Sequence, residues 1–180
     1  LANMFVKTVN LISAFREIDY FSFKILGNEF VYTPVFTLII AAILIIIIKN
    51  FFKIDRWNGP ADTIYAAHRT DNELNEKTGY FSSLIALLSA SGGASVGLYG
   101  PLVHLGGTIG TTFKRYSKEL LTTDVFLGCG VAGAISAGFG APLAGIIFAH
   151  EAILRHFSMR ALAPIAIASF TATASSNAFF

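Results

Sequence analysis

The 180-residue sequence is 54% hydrophobic and 13% charged, with a net charge of +2 and a mean hydropathy of +0.63. That balance is too apolar for an ordinary soluble domain and reads as an integral membrane protein. The few positive charges fall near the ends of apolar runs, so they suit membrane topology and speak against a nucleic-acid surface or a polybasic tail.

Taken in chain order, Ala2 to Phe15 is apolar but carries Lys7 and leads into Arg16, as the end of a membrane helix would. Leu1 opens without a Met start or a signal-peptide pattern, and the sequence is expected to be a piece of a longer protein. Arg16 to Asn28 reads as a polar and aromatic connection. Pro34 opens the plainest span, Val35 to Ile48, which with its aromatic flanks approaches the roughly 20 residues a bilayer requires. Lys49, Lys53 and Arg56 mark its end. Trp57-Asn58-Gly59-Pro60 reads as a turn, with a short helix over Ala61 to Ala67 that has Pro60 at its first position. Asp71 to Thr78 reads as a charged surface loop.

From Gly79 the chain is apolar again, and Gly92 to Thr112 is dense in glycine and free of Lys, Arg, Asp and Glu. Two helices, Gly79 to Val96 and Pro101 to Phe113, are expected to meet at a turn over Gly97 to Gly100, because glycine permits an unusual path and proline suits a helix start. The first N–H groups of the second helix have no internal partner and carry the positive end of its dipole. That helix start is therefore a ready anion site. A break at membrane depth is tolerated only where protein buries it or where it lines a watery cavity, which points to a transport pathway. Gly93 with Gly97 and Gly106 with Gly110 have the spacing that lets helices approach closely. His104, one turn past the break, reads as a hydrogen-bonded packing residue.

Lys114, Arg115 and Lys118 close this hairpin. Leu121 to Phe139 and Pro142 to Leu154 repeat the layout around Gly140-Ala141-Pro142, and Arg155, His156 and Arg160 end it. Cys129 is the sole cysteine, so an internal disulfide is ruled out, and between two glycines it reads as a packing residue. Ala161 to Phe180 is a last apolar span containing Pro164. If the helices run up and down, the three basic clusters share one face, cytoplasmic by the positive-inside rule, and the glycine turns point away from it.

Gly97-Leu98-Tyr99-Gly100-Pro101, followed by Val103-His104-Leu105-Gly106, resembles the glycine-X-glutamate-glycine-proline motif of the CLC chloride channels and transporters. Gly130 to Phe148 followed by Glu151 resembles the next helical hairpin of that family at nearly every position. Tyr99 stands where the family has its gating glutamate. Gly59 and Pro60 are similar to the end of the family's glycine-serine-glycine-isoleucine-proline segment, with Asn58 or Trp57 near the place of its anion-binding serine. Glu151 matches the first of two adjacent acids of the exchangers, and Ala152 stands at the second.

The resemblance implies an all-α integral membrane fold with broken, re-entrant helices. Residues 1–180 would form a single segment, the first of two inverted halves, which alone does not conduct. The implied function is passive, channel-like transport of chloride or another small anion by a homodimer in the plasma or inner membrane. The implied anion pathway comprises Tyr99 as the gate position with Gly100, Pro101 and Leu102, assisted by Asn58, Gly59 and Pro60. Pro142 to Leu154 and Ala161 to Ser176 are expected at the subunit contact. A phenol does not carry a carboxylate's charge and exchangeable proton near neutral pH, so proton coupling is not expected. Glu151 is a possible internal acid, read as structural. Two readings keep the fold: a proton-coupled exchanger with displaced acids, Glu151 among them, and a non-conducting homologue plugged by Tyr99. No phosphate loop, His-Glu-x-x-His, paired cysteines or nucleophile elbow is present, so neither an enzyme, a metal nor a cofactor is expected.

Overall fold

The computed structural model describes residues 2–16, 22–25, 28–69, 74–117 and 121–179. Within them the chain is helical apart from one short hairpin, and each helix begins or ends where local chemistry calls for it. Helix α1 spans Ala2–Arg16, and strands β1 (Ser22–Ile25) and β2 (Asn28–Val31) pair antiparallel, Ser22 opposite Val31 and Ile25 opposite Asn28. The expected plain connection over Arg16 to Asn28 is thus corrected: its aromatic and β-branched residues favour extended backbone. The rest of that connection lies outside the described residues.

Helix α2 (Thr33–Phe52) has Pro34 in its first turn and stops at Lys53, whose φ of 51° is left-handed. Among the described residues it is the one helix long and apolar enough to cross a membrane. Ile39, Ile43, Ile46 and Ile47 are exposed along it, a surface suited to lipid rather than water. Helix α3 (Pro60–His68) starts at the expected proline.

Helix α4 (Glu76–Gly92) begins inside the stretch read as a surface loop over Asp71 to Thr78, because the Asn75 side chain accepts a hydrogen bond from the Thr78 N–H at 3.2 Å. The Asp71 end of that stretch lies outside the described residues. The helix closes at Gly93, where φ is 106° and the Gly93 and Ala94 N–H groups donate to the carbonyls of Ala90 and Ser89. The helix expected as far as Val96 therefore ends earlier. Gly93 and Gly97 stand outside it and form no helix-packing pair.

Helix α5 spans Tyr99–Tyr116, so it starts two residues before the expected Pro101, which occupies the first turn where no N–H is needed. Helix α6 (Thr123–Phe139) ends at Gly140, with φ of 65°, and α7 (Pro142–Phe148) follows at once. The helix expected through Leu154 changes character: Ala149–Leu154 is π-helical, a wider turn often found at functional segments. Helix α8 (Met159–Phe179) runs through Pro164. Lys118 and Phe180 lie outside the described residues.

Helices α5 and α6 pack at their smallest residues. A Cβ at Gly110 would collide with the Phe126 carbonyl, and one at Gly130 with the Gly106 carbonyl. Leu127, Val131 and Ile153 are fully buried in the core beside them. The Ser169 hydroxyl of α8 donates to the Pro142 carbonyl at 2.6 Å, fastening the second break to its neighbour.

Two of the basic ends lie near the start of α4. Arg115 at the end of α5 lies 3.7 Å from Glu76 at the start of α4. Lys53 and Arg56 line one cavity with Asn75 and Lys77 at that same start of α4. The two glycine breaks meet at the other end of α5 from Arg115, where Tyr99 touches Phe139.

Candidate functional site at two helix starts

Gly97, with φ of 71°, turns the chain so that Leu98 caps α5 and Tyr99 is its first helical residue. The first turn carries no acidic side chain, and Pro101 contributes no N–H. The N–H groups of Tyr99 and Gly100 thus open the helix at the positive end of its dipole, while the Leu102 N–H, four residues past the cap, makes the first internal bond back to Leu98. Leu102 anchors this turn: it is 1% exposed and shares a cluster with Ala2, Phe5 and Val9 of α1. Tyr99 is 40% exposed, and its ring stacks on Phe139, with centroids 3.9 Å apart and planes 16° from parallel.

The start of α3 has a different electrostatic character. The Asn58 N–H donates to the Ser82 hydroxyl at 3.0 Å, and the Gly59 N–H donates to the Asp62 carboxylate at 2.8 Å. Arg56 in turn donates to the other Asp62 oxygen at 2.7 Å. Two N–H groups expected to assist an anion are therefore held by the protein's own side chains. Asp62, at the third helical position, was legible as an N-terminal cap; Ser82, from another helix, carried no local signal.

The two helix starts nonetheless adjoin. Gly100 leaves the space that the Pro60 ring approaches, since a Cβ there would lie 3.3 Å from Pro60 Cγ. One turn deeper, His104 Nδ1 and Thr63 Oγ1 share a hydrogen bond of 2.8 Å, both residues being buried. His104 is hydrogen-bonded and packed, as its place in the sequence suggests. Tyr99, Gly100, Pro101 and Leu102 thus come together with Pro60 and the turn ahead of it.

Glu151 stands apart. It lies nine residues beyond Pro142 in the α7 and π-helical run, about 13 Å along the axis at roughly 1.5 Å per residue. There it is exposed and lines a surface cavity of about 510 Å³ with His150, Arg155 and His156. Among the described residues no group of three or more His, Cys, Asp or Glu is placed to hold a metal ion. Cys129 is half-buried and free.

A family model described as voltage gated chloride channel matches residues 39–180. A voltage-gated ClC-type chloride channel, ClcB, of Yersinia pseudotuberculosis is 29% identical over 121 residues, covering 67% of this chain and 29% of the relative. A putative chloride channel protein, ClcB-like, of Ralstonia nicotianae is 28% identical over 127 residues, covering 68% and 30%. An H(+)/Cl(-) exchange transporter 5 of Rattus norvegicus is 27% identical over 150 residues, covering 80% and 18%. The chain spans less than a third of the length of each of these relatives. The family match takes in both glycine breaks, the start of α3 and the helices between them, and on that extent the chain belongs to the voltage gated chloride channel family.

Proposed function

We propose that the complete protein conducts chloride or another small anion passively through a multi-pass membrane domain to which this chain contributes one half. The observation that carries the reading is the start of α5: a dipole-positive turn with no acid, packed against the start of α3. An anion entering there loses part of its hydration, and the N–H groups of Tyr99 and Gly100 compensate. Tyr99 narrows the path, and its hydroxyl can donate to a halide. The turn over Asn58, Gly59 and Pro60 shapes the opposite wall rather than offering free donors. The role is transport, with no chemical step.

Reversal potentials of the full-length protein in vesicles, measured under combined chloride and pH gradients, test this. A passive pathway follows the anion gradient alone. A second reading, proton-coupled exchange, draws on the similarity to an H(+)/Cl(-) exchange transporter and would use Glu151 as its acid. Protons driven uphill by a chloride gradient would replace the first reading with the second, and absence of any flux would favour a plugged homologue.

We also propose a homodimer in the plasma or inner membrane, joined through α7 and α8. Exposed Leu143, Ile147, Ile167 and Phe170 supply the apolar surface such a contact requires.

A further inference from the structure

Gly100, His104 and Gly107 lie on one face of α5, at the spacing that stacks residues over successive turns. Pro60 and Thr63 of α3 face them. The glycines mark how closely the helices approach: a Cβ at Gly107 would lie 2.7 Å from Thr63 Cγ2, and one at Gly100 would lie 3.3 Å from Pro60 Cγ. Between these two side-chain-free positions the seam carries a single large polar ring. We infer that His104 is a positioning residue, fastening α3 to α5 through Thr63 so that the two helix starts stand at the separation the anion path needs.

The chemistry of the seam supports this. His104 is 1% exposed and Thr63 is 0% exposed, so their shared hydrogen bond is shielded from competing water. The other ring nitrogen, Nε2, is buried without a hydrogen-bond partner among the described residues. An apolar side chain would fill the space without that cost, so simple packing does not account for an imidazole here. Thr63 makes the same point from the other side. Thr108, Thr112 and Thr171 bond back to carbonyls of their own helices, whereas Thr63 directs its hydroxyl across the seam.

Helix α3 is only nine residues long, too short to be stable alone. Its position relative to α5 therefore depends on such cross-ties. Losing this one lets Pro60 move against Gly100, which changes the width of the path and with it the discrimination between anions of different size.

The inference rests on the proposed anion pathway, and the test separates the two. Full-length protein in liposomes is assayed for chloride flux and for the nitrate-to-chloride permeability ratio, with thermal unfolding in detergent followed alongside. His104→Ala and Thr63→Val are each expected to shift the ratio about threefold or more, the size that follows from losing one buried hydrogen bond. The double substitution should shift it no further, because both remove the same bond. His104→Asn, whose amide reaches the place of Nδ1, should restore the ratio. An unchanged ratio in Thr63→Val, which nearly preserves shape, overturns the inference even if His104→Ala fails to fold. So does a failure of His104→Asn to restore the ratio while its unfolding temperature recovers. Absence of flux from the unsubstituted protein overturns the pathway reading itself.

Discussion

The ring of Tyr99 lies nearly flat on the ring of Phe139, with 3.9 Å between centroids, and so joins the first residue of α5 to the last residue of α6. Two breaks separated by some forty residues of chain are thereby held side by side. Stacking of this kind contributes about 0.5–1.5 kcal/mol beyond area burial, enough to favour one orientation of the Tyr99 ring without locking it. Phe139→Ala should release that ring into the path and lower chloride flux about threefold or more, in line with the stacking energy lost. Tyr99→Ala in the same background should restore flux. Liposome efflux assays on the three proteins check this, and equal flux in all of them would separate the stacking from conduction.

The start of α5 carries no carboxylate, which sets the expected pH behaviour. Flux through the complete protein should change little between about pH 5 and 8, since no carboxylate stands at this helix start to compete with the anion. Tyr99→Glu should behave oppositely. When ionised, the new carboxylate competes with the permeating anion for the same N–H groups, so flux is low at high pH. As pH falls through its pKa it is neutralised and flux rises. Efflux measured at stepped pH checks both proteins.

The seam between α5 and α6 depends on missing side chains. A Cβ at Gly110 would strike the Phe126 carbonyl, whereas one at Gly133, which faces α8, would meet the Ala172 methyl at 3.4 Å and the Ala168 carbonyl at 3.7 Å, ordinary contacts. Gly110→Ala should destabilise the protein by about 1–3 kcal/mol or prevent its folding, as overpacking against backbone does. Gly133→Ala should be nearly neutral. Thermal unfolding in detergent, with elution profiles, distinguishes the pair.

The proposed subunit contact must use the outward face of α8. Ile165, Ser169 and Thr173 are buried, and Ile165 approaches Gly128 of α6, so this face is already covered within the subunit. Ile167 and Phe170 are 65% and 51% exposed. Cysteine at either exposed position should give a covalent dimer on oxidation in membranes, while cysteine at Ile165 should not. Non-reducing gels on full-length protein decide, and failure at both exposed positions would remove α8 from the contact.

What the sequence determined by itself is local. The apolar run before Lys49 makes α2 a span, Pro60 starts α3, and Gly97 and Gly140 break the helices at positive φ. These features follow from hydropathy and from the backbone freedom of single residues, so no distant partner is needed to read them. The sequence put Tyr99 in the turn ahead of Pro101, and the structure makes it the first residue of α5.

Tertiary packing decided the rest. Asn58 gives its N–H to Ser82, Tyr99 stacks on Phe139, and His104 meets Thr63, all between residues more than twenty positions apart. Glu151, conspicuous in the sequence as an acid in an apolar stretch, is carried by α7 and the π-helical turn away from the helix starts to an exposed surface. Hydrophobic pattern states that a helix will pack but not against which neighbour or at what rotation. Those are set by where glycines let backbones approach, and by which polar groups still need a partner once they have done so.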